Sequence, residues 1–310
     1  MDAHRNFSPN VNATLPNVQN FVQINFSIAV LISALDIMAI ILGSLANILL
    51  VALVFSYTDL RKRTDVFSTS LCISDLMAGV FFQPFVIRRL LARHPQQNYE
   101  WALRRCIGQA TLSGSALSLL MATVDRYIVI QWPLRYENIM TEKMSSIFVS
   151  GIWLISFSMG ATAYFRRELS AVVFPCVISV IVISIVATHI SIFIIAKKQE
   201  NKIWKQSRLN KKGKKFLSKM RATKTIFLLL LVFLLSWLPS TIFRFYDRLS
   251  GGNIVTFHTW LHPLNCLIQV HCSLDPFLYV LRNRRFKVVI EKVFERFTNT
   301  SSNNRSCSSP

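Results

Sequence analysis

Residues 115–140 read SALSLLMATVDRYIVIQWPLRYENIM. An apolar, helix-like run ends in the charged pair Asp125-Arg126, with Tyr127 next and Pro133 six residues later. Full charges are costly in hydrocarbon, so the helix is expected to leave the membrane here, where Asp125 can neutralise Arg126. Pro133 marks the break into a loop, because the residue before a proline avoids helical geometry. Taken alone, the pair also fits an ordinary arginine that reaches for the membrane surface.

The composition is that of an integral membrane protein. Of the 310 residues, 52% are hydrophobic and 16% are charged, whereas about a quarter of the residues in a soluble domain are charged. Seven mostly apolar runs are each long enough to cross a bilayer as a helix; they span residues 25–55, 65–90, 102–130, 145–165, 170–196, 223–245 and 257–281. We therefore predict an all-α membrane protein, a seven-transmembrane helix bundle over residues 25–282.

The distribution of basic residues predicts the orientation. In a soluble protein the formal net charge of +20 would suggest nucleic acid, but here every lysine falls after the first, third and fifth runs or in the tail. The positive-inside rule places that side in the cytoplasm and the N-terminus outside, so no nucleic-acid partner is expected. The sequons at Asn6, Asn12 and Asn25 agree, and predict glycosylation in or beside an extracellular segment 1–24.

The C-terminal region divides into two parts. Residues 283–297 place apolar side chains at helical spacing, which predicts a short amphipathic eighth helix on the inner leaflet; they are Phe286, Val289, Ile290, Val293, Phe294 and Phe297. Residues 298–310 are rich in Ser and Asn and are expected to be disordered. Membrane lipids are predicted partners, since the basic segment 197–224 also favours anionic headgroups.

Several motifs occur in one order along the runs. They are Asn47, Leu71 with Asp75, Asp125-Arg126-Tyr127, Trp153, Ser236-Trp237-Leu-Pro239 and Asp275-Pro276 with Tyr279. Together they resemble the motifs of rhodopsin-like G-protein-coupled receptors. The resemblance covers nearly the whole chain, from about residue 43 to residue 297. It implies a non-enzymatic plasma-membrane receptor that transmits an extracellular ligand to heterotrimeric G proteins, with arrestin as a further candidate partner.

Within this family the chain is similar to the melanocortin and adenosine branch. Residues 136–143 resemble the melanocortin second cytoplasmic loop, and the connection at residues 166–169 is equally short. Trp101 stands where many relatives have a cysteine, a residue that melanocortin receptors also lack. A melanocortin-like peptide receptor and a nucleoside receptor are alternatives, although Arg104-Arg105 occupies the region where melanocortin receptors have acids. Gly108 and Gln269 stand at the positions of the amine-binding aspartate and the retinal-linking lysine, which disfavours both those classes.

A polar group is expected in the middle of the bundle. A carboxylate at mid-membrane, such as Asp75, indicates function by default. Ser115 lies three helical turns before Arg126 on the same helix, so its side chain can face Asp75. The family uses this arrangement for sodium, which implies a site of Asp75, Ser115 and Asp275 with Asn47 and His271 nearby. A water-filled hydrogen-bond network is the alternative. The same residues also suit an ion or proton transporter or channel, although the two halves show no internal repeat.

A ligand pocket is predicted above this polar group. Its candidate residues share one face of the third run or lie above Pro239, with two amides added; they are Arg105, Gly108, Gln109, Leu112, Trp237, Thr241, Arg244 and Gln269. Two arginines at one mouth suggest an anionic small molecule, lipid or acidic peptide. Each arginine alone also fits a side chain that reaches for lipid headgroups.

The predicted output surface lies at the opposite end. By resemblance, Asp125, Arg126, Tyr127, Leu134 and Tyr279 engage the G protein. Many relatives restrain the arginine of the triplet with an acid twenty residues before the proline of the sixth run, where this chain has Lys219. A lysine repels Arg126, so we expect ligand-independent signalling.

The remaining reactive side chains predict little chemistry. Cys106 and Cys176 lie toward the outer side and are candidates for a disulfide. No metal-ligand cluster or nucleophile–base spacing indicates an enzyme, and no cofactor other than the sodium ion is expected.

Overall fold

The computed structural model describes residues 25–57, 66–91, 98–206, 231–246, 249–250, 254–282 and 288–289. Seven long helices occupy these parts of the chain. They are α1 (Phe26–Ser56), α2 (Val66–Leu91), α3 (Asn98–Gln131), α4 (Glu142–Phe165), α5 (Arg167–Gln206), α6 (Leu231–Tyr246) and α7 (Ile254–Arg282). A short helix, Tyr136–Ile139, lies in the connection between α3 and α4.

The predicted runs correspond to these helices. The first five are long and apolar enough to cross a membrane. As described, α6 is a shorter apolar helix, and α7 has 29 residues, enough for about 43 Å at 1.5 Å per residue. Within the described residues the protein is therefore a helical membrane bundle, as predicted.

Several helices extend past their apolar runs because polar ends continue them. Thr141 caps α4, and its hydroxyl accepts a 3.2 Å hydrogen bond from the Met144 N–H. Only Arg166 separates α4 from α5. The Ser170 N–H bonds the Arg166 carbonyl at 2.9 Å. The connection predicted over residues 166–169 is thus shorter than expected.

The middle of α2 is π-helical. Residues Ala78–Phe82 form a π turn, in which the Gln83 N–H bonds the Ala78 carbonyl, directly before Pro84. A proline ring clashes with the carbonyl four residues earlier in a regular α-helix, and a wider turn relieves that clash. This irregularity is the kind that a proline inside a helix produces.

The packing is inverted relative to a soluble protein. Large apolar side chains cover the outside of the bundle, among them Leu31, Leu45, Leu154, Phe165 and Ile183. The interior contains many buried polar groups, including Asp36, Asn47, Asp75, Ser118 and Asp125. The exposed apolar side chains suit contact with lipid, and the buried polar side chains suit hydrogen bonds between helices.

Close helix contacts depend on small residues. A Cβ added at Gly43 of α1 would lie 2.6 Å from Ser273 Oγ of α7, and one at Gly160 of α4 would lie 2.8 Å from the Cys106 carbonyl of α3. The largest apolar cluster joins α3, α5, α6 and α7 through residues such as Phe174, Ile185 and Phe233. These contacts fix the helices that surround the pocket described below.

Most of the predicted eighth helix lies outside the described residues. Residues 288–289 are helical, and Val289 packs into a buried cluster with Leu50, Leu53 and Cys72. Val288 is exposed. These exposures agree with the predicted apolar face at Val289, and the helix over residues 283–297 remains a prediction.

Candidate functional site

A small pocket lies between α3, α5, α6 and α7. Four of the predicted ligand-binding residues line it: Leu112, Trp237, Thr241 and Arg244. The other lining residues are Phe174, Pro175, Ile178, Ser240 and Ile268. Most of these side chains are apolar, so the pocket suits a hydrophobic group that approaches a single guanidinium.

Arg244 provides the charge of this pocket. Its Nη2 donates a 3.2 Å hydrogen bond to Asn265 Oδ1 of α7. Asn265 is neutral, so this contact orients the guanidinium without compensating its charge. The arrangement leaves Arg244 suited to an anionic partner.

Arg105 and Gln109, which were predicted to share the pocket, bind α5 instead. Arg105 Nη2 donates to Ser170 Oγ at 3.0 Å and to the Arg167 carbonyl at 3.1 Å. Gln109 Nε2 donates to the same Ser170 hydroxyl at 2.8 Å. The guanidiniums of Arg105 and Arg167 also lie 4.7 and 4.5 Å from the ring of Trp101. The structure therefore does not bring Arg105 and Arg244 to one pocket.

Gly108 and Gln269 also lie away from the pocket lining. A Cβ at Gly108 would be 2.5 Å from the Phe82 ring, so this glycine allows α2 and α3 to approach closely. Gln269 Oε1 accepts a 2.6 Å hydrogen bond from Gln83 Nε2, and both side chains are buried. These two predicted ligand contacts are helix-packing contacts in the structure.

The structure does bring the predicted polar group together at mid-bundle. Ser115 Oγ donates a 2.6 Å hydrogen bond to Asp75 Oδ1, and His271 Nδ1 lies 3.3 Å from Asp275 Oδ2. Asn47 Nδ2 donates to the Cys272 carbonyl at 3.4 Å. All of these residues are buried.

The oxygens of this group fit a hard cation. Asp75 Oδ2 and Asn47 Oδ1 are buried and accept no hydrogen bond from the described residues. A buried carboxylate oxygen without a donor favours a bound cation or a proton. In the described part of the chain, no set of three or more His, Cys, Asp and Glu side chains is arranged to hold a metal ion. Any ion here would therefore depend on Asp75 with neutral oxygens such as Ser115 Oγ.

Aromatic rings connect the pocket with this polar group. Trp237 lines the pocket and stacks on Phe233 at 5.7 Å between ring centroids. Phe233 in turn meets the His271 ring edge-on at 5.6 Å. A ligand that displaced Trp237 would therefore also move Phe233 against His271, which lies beside Asp275.

The Asp125-Arg126-Tyr127 triplet lies at the other end of α3. Asp125 is 1% exposed, and its Oδ1 accepts a 2.8 Å hydrogen bond from the Tyr136 hydroxyl. Tyr127 meets Trp132 edge-on at 6.0 Å. Leu134 is 96% exposed on the connection that follows. The side chain of Tyr279 and the whole of Lys219 lie outside the described residues.

Comparison with known proteins identifies the family of this chain. The family model described as "7 transmembrane receptor (rhodopsin family)" matches residues 46–279. The chain is a member of this family. Rat melanocortin receptor 5 is 24% identical, with 80% of this chain and 79% of the relative aligned. Dog and human adenosine receptor A2b are each 23% identical, with 85% of this chain aligned to 89% and 90% of theirs.

Family membership confirms the coarse functional prediction. The chain is a G-protein-coupled receptor and a multi-pass plasma-membrane protein. It is not an enzyme, because the matched relatives are receptors. The resemblance to the melanocortin and adenosine branch is likewise confirmed.

Sequence reasoning missed the buried carboxylate of α1. Asp36 of α1 is 1% exposed, and its side chain lies beside that of Cys266 in α7. Ser33, one turn away on α1, is buried as well. The signal was available, because a lone aspartate inside the apolar run 25–55 is as unusual as Asp75.

The disulfide predicted between Cys106 and Cys176 is wrong. Both cysteines are free. Cys106 faces α4, where its Sγ would lie 3.5 Å from a Cβ at Gly160, whereas Cys176 of α5 is exposed. The receptor instead joins the end of α3 to α5 through Ser170 and the Trp101 stack described above.

Proposed function

We propose that this receptor responds to an amphiphilic anion that binds between α3, α5, α6 and α7. The observation behind this proposal is Arg244, one guanidinium in an otherwise mostly apolar pocket. A carboxylate or phosphate gains a charge-assisted hydrogen bond there, while an alkyl chain is removed from water by Leu112, Ile178 and Ile268. A polar anion without a chain would leave this lining unfilled.

Transmission would follow the aromatic contacts inward. A ligand that fills the pocket contacts Trp237, whose stack with Phe233 reaches His271. The pocket end of the bundle would face outside, and Asp125 with the exposed Leu134 would face a heterotrimeric G protein. Glycosylation at Asn6, Asn12 and Asn25 fits this orientation, as does arrestin binding on the cytoplasmic side.

A sodium ion at Asp75 would favour the resting state. Asp75 Oδ2 and Ser115 Oγ supply hard oxygen ligands of the kind that such an ion prefers. The ion supplies positive charge to a buried carboxylate, and its loss on activation would leave that charge to a proton or to rearranged neighbours. Lys219, at the position where relatives have a restraining acid, supports basal signalling in the absence of ligand.

The test is a panel of amphiphiles that share one alkyl chain. A fatty acid, the matching alcohol and the matching primary amine are applied to cells that express the receptor with a G-protein dissociation sensor. Only the acid should activate. Arg244→Gln should raise the half-maximal acid concentration at least about tenfold, the loss expected for one charge-assisted hydrogen bond of about 1.5–3 kcal/mol.

Arg166→Gln is the matched control for this experiment. Arg166 is an exposed arginine at the same end of the bundle, and its hydrogen bonds to Thr162 and Ser170 are made by its backbone, which the variant keeps. The proposal fails if the alcohol activates as strongly as the acid, or if Arg244→Gln and Arg166→Gln respond alike at equal surface expression.

A further inference from the structure

The end of the bundle above the pocket is fixed by an ion pair between α2 and α3. Arg88 Nη1 lies 2.8 Å from Glu100 Oε1, and Glu100 is 8% exposed. Arg88 points outward and is exposed, while the next residue, Arg89, is half-buried. Arg104 lies one helical turn from Glu100 along α3, on the same face. The two neighbouring arginines Arg89 and Arg104 therefore enter the bundle where α2 and α3 meet.

Arg104 lies two helical turns outward of the pocket on α3. Gly108, one turn deeper on α3, contacts Phe82, and Leu112, two turns deeper, lines the pocket with Arg244. The Arg104 Nε is buried and has no hydrogen-bond partner among the described residues. The charges of Arg89 and Arg244 both act on that of Arg104. Three guanidiniums from α2, α3 and α6 thus share one region.

Acidic residues at this end are too few to balance the basic ones. The predicted outer segments and adjoining helix ends contain ten arginines and four acids, to which the buried Asp36 is added because it lies beside Cys266, the residue after Asn265. Glu100 already pairs with Arg88, and Glu168 lies 4.0 Å from Arg167. Asp2, Asp36 and Asp247 remain, so this end of the receptor still has twice as many arginines as acids. Half-buried like charges repel one another strongly unless an anion lies between them.

We propose that Arg89, Arg104 and Arg244 form a headgroup site for a phosphate monoester. This inference rests on the proposed function and names its ligand class. A carboxylate brings one negative charge and two oxygens, whereas a phosphate monoester brings about −1.5 to −2 charges and three acceptor oxygens. Planar guanidiniums bind such oxygens in pairs. A doubly charged headgroup therefore matches three arginines better than a carboxylate does.

The apolar lining below favours a single-chain lipid phosphate as the source. Leu112, Phe174 and Ile178 offer a hydrophobic surface to an acyl chain. A nucleotide offers the same phosphate chemistry with a polar sugar and a base instead of a chain. The two sources are separated in the experiment below.

The experiment measures binding to purified full-length receptor in neutral nanodiscs at fixed salt concentration. The probes are 1-oleoylglycerol 3-phosphate, oleate, oleyl alcohol and adenosine monophosphate. The lipid phosphate should bind at least about tenfold more tightly than oleate, because it adds a charge-assisted contact. Arg104→Gln should remove most of that advantage while it changes oleate binding less. Arg104→Lys, which retains the charge but not the paired donors, should be intermediate. Arg166→Gln, a change in an exposed arginine of the link between α4 and α5, should bind like the natural receptor.

Each other outcome has a defined meaning. Equal affinity of the lipid phosphate and oleate, or failure of the phosphate to bind, overturns the phosphate site. Oleate binding that still exceeds that of oleyl alcohol would then leave the proposed function standing, whereas equal binding of oleate and the alcohol contradicts both. Tight, Arg104-dependent binding of adenosine monophosphate supports the phosphate site and identifies a nucleotide as its source. The comparison of probes on the natural receptor decides the question even if a variant does not fold.

Discussion

The Tyr136 hydroxyl donates a 2.8 Å hydrogen bond to the buried Asp125 carboxylate. This contact joins the charged triplet at the end of α3 to the short helix Tyr136–Ile139 in the next connection. Leu134, two residues before Tyr136, is 96% exposed. The bond therefore holds the segment that presents Leu134 against the residue next to Arg126.

Tyr136→Phe should destabilise the receptor and slow G-protein activation. The variant removes one donor from a buried carboxylate, a loss of about 1.5–3 kcal/mol for a hydrogen bond to a charged group. Thermal unfolding in detergent and the rate of nucleotide exchange on a purified G protein measure the two effects. Tyr164→Phe is the control, because Tyr164 lies exposed on the surface of α4. Equal behaviour of the two variants would show that the Tyr136 bond has no role.

Ser170→Ala should loosen the junction between α3 and α5. The Ser170 hydroxyl accepts hydrogen bonds from Arg105 and Gln109, and it is 1% exposed. Its loss leaves two donors without their shared acceptor, which costs about 1–3 kcal/mol. The melting temperature should fall relative to Ser158→Ala, a matched change in an exposed serine that bonds only within α4. If the two melting temperatures agree, Ser170 is not the contact that stands in for a disulfide.

Asp75→Asn should abolish any effect of sodium on basal signalling. In the natural receptor, replacement of sodium by N-methylglucamine at constant ionic strength should raise basal nucleotide exchange, because an ion that binds only the resting state stabilises it. The amide of the variant has no charge to hold the ion. Asp36→Asn is the comparison, since Asp36 is equally buried but lies beside Cys266. A sodium effect that persists in Asp75→Asn would place the ion elsewhere.

Lys219→Glu should lower basal signalling. The variant creates the acid that relatives use to restrain the triplet arginine, and an exposed ion pair of this kind contributes about 0.2–1 kcal/mol. Basal second-messenger production should therefore fall by up to about fivefold at equal surface expression. Lys215→Glu makes the same charge change four residues away. An equal decrease in both variants would indicate a general charge effect rather than a restraint on Arg126.

The architecture was predictable because it depends on run length. Hydrocarbon thickness fixes how many apolar residues a helix needs, so residues 25–55 and 145–165 predicted α1 and α4 closely. The ends of α3 and α5 were not predicted, because polar residues can continue a helix beyond the membrane. The Asp75–Ser115 contact was predictable from family register and helical period together.

The directions of individual side chains were not predictable from the sequence. Arg105 shares a helical face with Leu112, which suggested that both meet the ligand. A long side chain reaches several neighbours, however, and Ser170 provides Arg105 with an acceptor. Arg104, one residue earlier and rotated by about 100° around α3, is buried at its Nε, and its charge interacts with that of Arg244. The helical period of α3 does not predict whether Arg104 or Arg105 binds α5. That depends on the acceptor Ser170, which is placed beside α3 by the one-residue link at Arg166.

Photo-crosslinking locates the ligand in the receptor and therefore shows whether it lies between α3, α5, α6 and α7. The most potent acid of the panel is made with a diazirine near the end of its chain, irradiated with purified receptor, and mapped by mass spectrometry. Labels are expected on pocket residues such as Phe174, Ile178 and Trp237, and excess unlabelled acid should remove them while Arg244→Gln should weaken them. Labels confined to lipid-facing residues such as Leu154 and Ile183, insensitive to competitor and to Arg244→Gln, would contradict the proposed binding site.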